Sequence, residues 1–185
     1  MKRWQLSFDV AHFENFIPEI ELTATEVQSF DGRPKKINWT PIKVKRMEPE
    51  KGLLLGDAPG FTIPVFSKRA LEFLYPIIGD SSEILPLLTD EGEFYGINVT
   101  AVVDVIDYAK SEYLTYNDGK RIMAFKKYAF VQNHVLMHHN IFKIVDEPTR
   151  RAYVSDKFKR VVEDNELTGF KFKLVWDSEE QIKLN

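Results

Sequence analysis

Apolar residues in this chain recur chiefly with a period of two, in short runs separated by turn residues. A period of three to four surfaces in only two places. That contrast limits the fold more than any other feature. A strand sends alternate side chains to opposite faces, whereas a helix repeats every 3.6 residues. The plainest run is near the end, where Phe170, Phe172, Leu174 and Trp176 alternate with Lys171, Lys173 and Val175. It predicts a strand with one buried face. Trp4, Leu6 and Phe8 alternate in the same way and predict a first strand over 2–8. Between these ends, 94–97, 101–106, 113–116, 122–125, 127–131 and 140–145 are rich in β-branched and aromatic residues and read as strands. Shorter extended pieces are expected at 37–44, 53–55, 84–88 and 153–154. Asp118-Gly119 is strong hairpin chemistry between two of the runs. Asp31-Gly32-Arg33-Pro34 reads as a turn, because Asp initiates, Gly accepts positive φ and Pro blocks continuation.

The helical period belongs to 67–76 and 156–165. In the first, Ser67 is placed to cap the helix, and Ala70, Phe73, Leu74 and Ile77 are spaced to face a core. Pro76 should end or kink it near Leu74 or Tyr75. In the second, Ser155 is the cap and Phe158, Val161 and Val162 form the inner stripe. The two stretches echo each other as strand end, Ser cap and short amphipathic helix. No fixed period runs through the chain, so a solenoid is not expected. Together these patterns predict an α+β fold, with a largely antiparallel, curved sheet of seven to nine strands and two short helices packed on it.

The length of 185 residues favours one domain over 1–185. The glycine- and proline-bearing loop at 44–64 is the best candidate boundary, and it is a weak one. Disorder is expected only at the tail, 179–185. With no cysteine, disulfides, thiolate zinc sites and a cysteine nucleophile are excluded. No apolar run approaches the roughly 20 residues needed to span a bilayer. Asp9 interrupts any leader-like segment after the first basic residues. A cytoplasmic, non-membrane protein is the expectation.

Net charge is −3, and the total hides a split. Residues 70–109 hold eight acids and no Lys or Arg, while 110–160 hold eleven bases against five acids. A charged binding face, or two segments that neutralise each other on folding, would account for it. The candidate acidic face is Asp80, Glu83, Asp90, Glu91, Glu93, Asp104 and Asp107.

Candidates for chemistry are few. Histidines number four, at 12, 134, 138 and 139, and His134 and His138 are spaced i, i+4. A helix would bring those two together as metal ligands. No acid stands within 130–140, so the zinc-protease pattern is missing and a turn or polar surface is the plainer reading. Asp104 and Asp107 are the best carboxylate pair for acid–base work. Strand spacing would point them to opposite faces unless the strand ends between them. Ser67 and Ser155 lie outside a nucleophile elbow. The Gly52–Gly60 stretch lacks the Gly-Lys-Ser/Thr of a phosphate loop. The basic runs Lys126-Lys127-Tyr128 and Arg150-Arg151 are short, and the sequence pI is about 5.9, so direct nucleic-acid binding is not expected. The residues point to a binding protein without catalysis, metal or cofactor.

Several phrases, taken in order, resemble a known family. They are Ile63-Pro64-Val65-Phe66-Ser67-Lys68-Arg69-Ala70-Leu71, then Leu85-Pro86-Leu87, then Val102-Val103-Asp104-Val105-Ile106-Asp107 with Ser111. Ile141-Phe142-Lys143-Ile144, Tyr153-Val154-Ser155-Asp156-Lys157-Phe158-Lys159 and Leu167-Thr168-Gly169-Phe170-Lys171-Phe172 continue them. Each phrase alone is generic, but their joint order over 61–176 resembles the immunity proteins of bacterial polymorphic toxin systems, family eleven. Residues 1–60 match less clearly. The resemblance implies a small cytoplasmic protein, encoded beside a toxin, that binds and occludes the toxin's active domain. It carries over no catalytic residues. A basic, nuclease-type toxin domain is the partner that an acidic face would suit. Two other readings compete: an enzyme using Asp104 or Asp107, and an adaptor module with no toxin.

Overall fold

The computed structural model describes residues 1–179. The tail expected to be disordered lies, from residue 180 on, outside the described residues. In chain order the elements are β1 (Lys2–Phe8), β2 (Phe16–Pro18), α1 (Ala24–Gln28), β3 (Val44–Arg46), β4 (Val65–Ser67) and α2 (Lys68–Ile78). Then come β5 (Ser82–Pro86), β6 (Phe94–Val99), β7 (Val102–Val103), β8 (Glu112–Thr115) and β9 (Ile122–Lys127). The last are α3 (His134–His138), β10 (Ile141–Ile144), β11 (Tyr153–Ser155), α4 (Asp156–Asp164) and β12 (Phe170–Asp177). Short 3₁₀ turns sit at Lys36–Asn38, Pro49–Lys51 and Gly79–Ser81.

The fold is α+β, with mostly antiparallel strands and few short helices. The strands do not form one sheet. Among the described residues they divide into a five-stranded sheet ordered β12-β1-β11-β10-β7, a three-stranded sheet ordered β4-β6-β5, and the pairs β2-β3 and β8-β9. Among the described strand pairings only β10–β7 is parallel, and the isolated bridges Glu14–Leu55 and Lys43–Leu88 are parallel too.

Both larger sheets are buried on two faces, and this produces three cores in series. One face of the five-stranded sheet carries Leu6, Ile141 and Val154, and one face of the three-stranded sheet carries Phe66, Ile97 and Val99. Helices α2 and α4 pack Ala70, Leu74, Ile78, Phe158 and Val162 into the same cluster. The second core covers the opposite face of the five-stranded sheet, where Phe142, Ile144, Tyr153 and Trp176 meet Val103, Val105, Phe130 and Leu136. The third covers the opposite face of the three-stranded sheet, where Val65, Leu85 and Phe94 meet Phe16, Phe30 and Val44 from the N-terminal part. Burying each large apolar side chain contributes about 1.5–3 kcal/mol.

Local chemistry explains most element ends. Ser67 caps α2 by accepting the Ala70 N–H at 3.0 Å, and Ser155 caps α4 by accepting that of Phe158 at 3.2 Å. Thr23 and Glu26 form a reciprocal capping box on α1, a short helix with no buried residue and so no apolar stripe to announce it. The Asp118-Gly119 hairpin forms as expected. Gly119 has φ +67°, and the Asp118 carboxylate accepts the N–H groups of Lys120 and Arg121.

Several expectations need correction. Helix α2 passes through Pro76 and continues to Ile78. Pro76 gives up one hydrogen bond to the Glu72 carbonyl, on a side where Glu72, Phe73, Tyr75 and Pro76 are all exposed to solvent. The buried line of α2 is Ala70, Leu74 and Ile78, and Phe73 is 40% exposed. At 3.6 residues per turn Phe73 stands roughly 100° from Leu74, off the core-facing line. The segment 37–44 is not extended: Lys36–Asn38 is a 3₁₀ turn, Ile37 is 94% exposed, and the strand starts at Val44. The strand expected at 101–106 is only Val102–Val103, and that at 84–88 is Ser82–Pro86. Leu55 makes only an isolated bridge with Glu14, and in place of a strand over 127–131 only Phe130 bridges, to Ile106. The alternation of β12 is broken by a bulge, since Trp4 lies opposite Leu174 and Arg3 opposite Trp176. The extra residue, Val175, sends Trp176 into the second core while Phe170 and Phe172 pack against the first, and it leaves Leu174 38% exposed.

Candidate partner-binding surface

The seven candidate acids lie around the β5–β6 hairpin and the segment that follows it, and they differ in what they do. Glu83 on β5 is turned to internal work. Its carboxylate accepts the Lys35 N–H at 2.7 Å, the Lys36 N–H at 3.3 Å and the Asn98 amide at 2.9 Å. Partial burial raises its pKa, but these donors together outweigh the burial and hold the carboxyl below its usual range. Glu91 is paired with Arg46 at 2.7 Å and Glu93 with Lys68 at 2.6 Å, and Glu93 also accepts the Tyr95 hydroxyl at 3.2 Å. Asp107 lies 3.7 Å from Lys110. Asp80, Asp90 and Asp104 are exposed and make no ion pair among the described residues. Asp80 precedes β5 and Asp90 lies in the turn that follows it, so the strand separates them by its length.

Strand β7 ends at Val103, so Asp104 and Asp107 both fall beyond it. Asp107 opens a turn, with its carbonyl accepting the N–H groups of Lys110 at 3.1 Å and Ser111 at 2.9 Å. Asp104 stands near Tyr108 and Asp146. Tyr108 donates its hydroxyl to Asp146, with distances of 3.0 and 3.2 Å to the two oxygens. Burial, the Asp146 contact and the Asp104 charge push the phenol up to about 12. Burial raises Asp146 as well, with the Tyr108 bond opposing it and the Asp104 charge adding to it. No His or Arg is hydrogen-bonded to Asp104 or Asp107 among the described residues.

His134 and His138 bracket the five-residue helix α3. The rings of His138 and His139 meet edge to face at 5.0 Å. His139 Nδ1 is 2.8 Å from Ser81 Oγ, and burial, helped by the His138 charge, lowers its pKa. Among the described residues no group of three or more His, Cys, Asp or Glu could hold a metal ion. No described helix is long and apolar enough to cross a membrane.

One surface was not singled out from the sequence. Strands β8 and β9 are hydrogen-bonded to each other and to no other strand among the described residues. Every residue of β8 is exposed. Tyr108, Tyr113, Leu114, Tyr116 and Met123 are each about 40% exposed. Lys120, Arg121, Lys126 and Lys127 are exposed on the same hairpin. The signal was present in the sequence, since Tyr113, Leu114, Tyr116 and Met123 occupy both phases of the strand pattern without an amphipathic split. A buried strand has neighbours on its apolar faces, and this pair has few.

This arrangement describes a protein with three packed cores, no assembled catalytic group among the candidates, and charged and aromatic surfaces fit for contact with another molecule. Residues 88–177 match the model of the Immunity protein family (Imm11), the family to which the sequence bears its resemblance. The match spans β6 to β12, so the 63–71 and 85–87 phrases lie before it. It includes five of the seven candidate acids, Asp90, Glu91, Glu93, Asp104 and Asp107. No curated protein matches the chain.

Proposed function

We propose that this chain is an immunity protein that neutralises a protein toxin by binding it and occluding its active surface. The observation that carries the reading is the family match over 88–177. The acids of 80–107 are part of the proposed contact. Asp80, Asp90 and Asp104 have no local counter-charge among the described residues, so they project the most field toward a basic partner. Glu91 and Glu93 contribute less, because Arg46 and Lys68 offset them. Glu83 supports the loop at 35–36 and is held out of the contact. A basic, nuclease-type domain is the partner class that fits. The protein acts in the cytoplasm and needs no cofactor.

The test is a survival assay in which this chain is co-expressed with each candidate toxin domain encoded beside it. The chain should restore growth, and the purified pair should associate more slowly as salt rises. Reversing Asp80, Asp90 and Asp104 to Lys should slow association about tenfold or more at low salt, with far less change in dissociation. Failure to rescue rejects the immunity reading. An association rate that ignores both salt and charge reversal rejects the electrostatic part alone. Rescue abolished by Asp104→Asn with toxin binding intact would instead favour an enzyme.

A further inference from the structure

We infer that the β8–β9 hairpin is a preformed docking arm whose aromatic and basic side chains hold an acidic patch of the partner protein. The inference rests on the immunity reading above and names the part of the molecule that retains the toxin once it has arrived.

The arm departs from the rest of the surface in three ways. Its aromatic residues are exposed yet braced from within. Tyr108 meets Tyr113 edge to face at 6.1 Å, Tyr113 meets Phe125 at 5.9 Å, and Phe125 stacks on Tyr128 at 4.8 Å. Tyr128 in turn packs on Phe130 and Tyr153 in the second core. A row of rings thus runs from the core out to the surface. The base of the hairpin is tied by Ser111, whose backbone-linked hydroxyl accepts the Ala129 N–H at 3.0 Å and lies 3.3 Å from the Ala129 carbonyl. Rings held this way give up little freedom on binding, which is the advantage of tyrosine in contact surfaces. At the tip, the Arg121 guanidinium lies 5.0 Å from the Tyr116 ring centre.

The charge is also distinctive. Residues 108–127 carry Lys110, Lys120, Arg121, Lys126 and Lys127 against Glu112 and Asp118, in a chain whose net charge is −3. Asp118 engages Arg121 at 2.7 Å and Asp107 engages Lys110 at 3.7 Å. Lys120, Lys126 and Lys127 have no ion pair among the described residues. A partner patch that completes this surface must be acidic, with apolar recesses for Tyr113 and Tyr116.

The third feature is the free strand edge. Two strands alone are marginal in water, so such a pair gains from a partner. Lysines on the edge strand β9 oppose strand addition by a second copy. They leave the side-chain face as the contact. Nucleic acid would also meet lysines and rings, but the chain carries 28 acids against 25 bases, which disfavours a polyanion.

The experiment uses the full chain and the toxin domain identified by the survival assay above, with association and dissociation rates followed by biolayer interferometry. The variants are Tyr113→Ala with Tyr116→Ala, and Lys126→Glu with Lys127→Glu. Near-wild-type thermal melts establish that the variants are folded. If a double variant fails to fold, Tyr116→Ala and Lys126→Glu singly, both at exposed sites, serve instead. The tyrosine double variant should raise Kd at least thirtyfold, mostly through faster dissociation, whereas the lysine double variant, like the Asp80, Asp90 and Asp104 reversals, should weaken binding mainly through slower association. Wild-type binding with arm variants within twofold of it overturns this inference and leaves the immunity reading standing. A wild-type chain that neither binds nor rescues overturns both. A fluorescein-labelled 20-nucleotide single strand that binds the wild type at 150 mM salt, and is lost with the lysine variant, overturns the protein-docking inference in favour of nucleic acid.

Discussion

Lys143 sits in the middle of β10 among apolar neighbours and is 4% exposed. Its ammonium donates to the Phe30 carbonyl, which ties the five-stranded sheet to the covering of the third core. Burial pushes its pKa down to about 8, against a small upward pull from Asp31. The unfolded chain binds the proton more tightly than the folded one, so folding is penalised wherever the group is protonated in both states. That penalty is fully present below about pH 8, shrinks as pH rises toward the ordinary value of 10.5, and is absent above it. Lys143→Met removes the titration. The stability of the wild type relative to this variant should therefore be flat below pH 8 and climb between 8 and 10.5, as read from urea midpoints. A difference that stays flat across that window contradicts the assignment. Little of this was legible beforehand, because a lysine in Ile-Phe-Lys-Ile reads as the solvent side of a strand. Asp57 is similar. In a glycine-rich loop it looked incidental, yet its carboxylate accepts from Ser67 Oγ at 2.8 Å, Arg69 at 2.6 Å and the Thr168 N–H at 3.0 Å. Both roles depend on partners distant in sequence, which no local pattern encodes.

Elements were readable where local chemistry decides them. Strand β1, the Ser caps of α2 and α4 and the Asp-Gly hairpin follow from alternation, side-chain capping and positive φ, and each forms where expected. Elements set by tertiary pairing were not readable. Strands β2 and β3 are three residues each and exist because they pair with one another over the third core. The bulge in β12 is invisible in an unbroken alternation. Helix α2 shows the same balance from the other side. Pro76 should have ended it, yet burial of Ile78 in the first core holds the last turn in place. Pro76→Ala restores a donor for the Glu72 carbonyl at an exposed position, partly offset by a more flexible unfolded chain. A gain of about 1 kcal/mol is expected, measured by thermal or urea unfolding. A loss would mean that the proline sets the direction in which Ile77 and Ile78 enter the core.

At the scale of the molecule, the question is whether the N-terminal part stands apart from the region that matches the family. Residues 1–60 resembled the family least, and the loop at 44–64 was the best candidate boundary. Strand β1, however, pairs with both β11 and β12 in the five-stranded sheet. Met1 reaches Ser178 through its ammonium at 2.7 Å. Phe16, Phe30 and Val44 complete the third core over β4, β5 and β6. From these contacts we propose that the described residues, 1–179, form a single cooperative unit, which requires the three cores to unfold together. The chain carries its own reporters, because its three tryptophans fall one to each core. Trp4 packs against the first, Trp176 lies within the second, and Trp39 packs against the third. Three variants, each keeping one tryptophan and replacing the other two by Phe, would report the cores separately. With each variant's midpoint referred to its own far-ultraviolet circular dichroism, the fluorescence and backbone transitions should coincide in all three. A Trp39 signal that moves well before the backbone signal would mark the cover formed by 14–46 as a separate unit. Loss of the Trp4 and Trp176 signals would then follow together at higher urea, because β1 and β12 join the first two cores through one sheet.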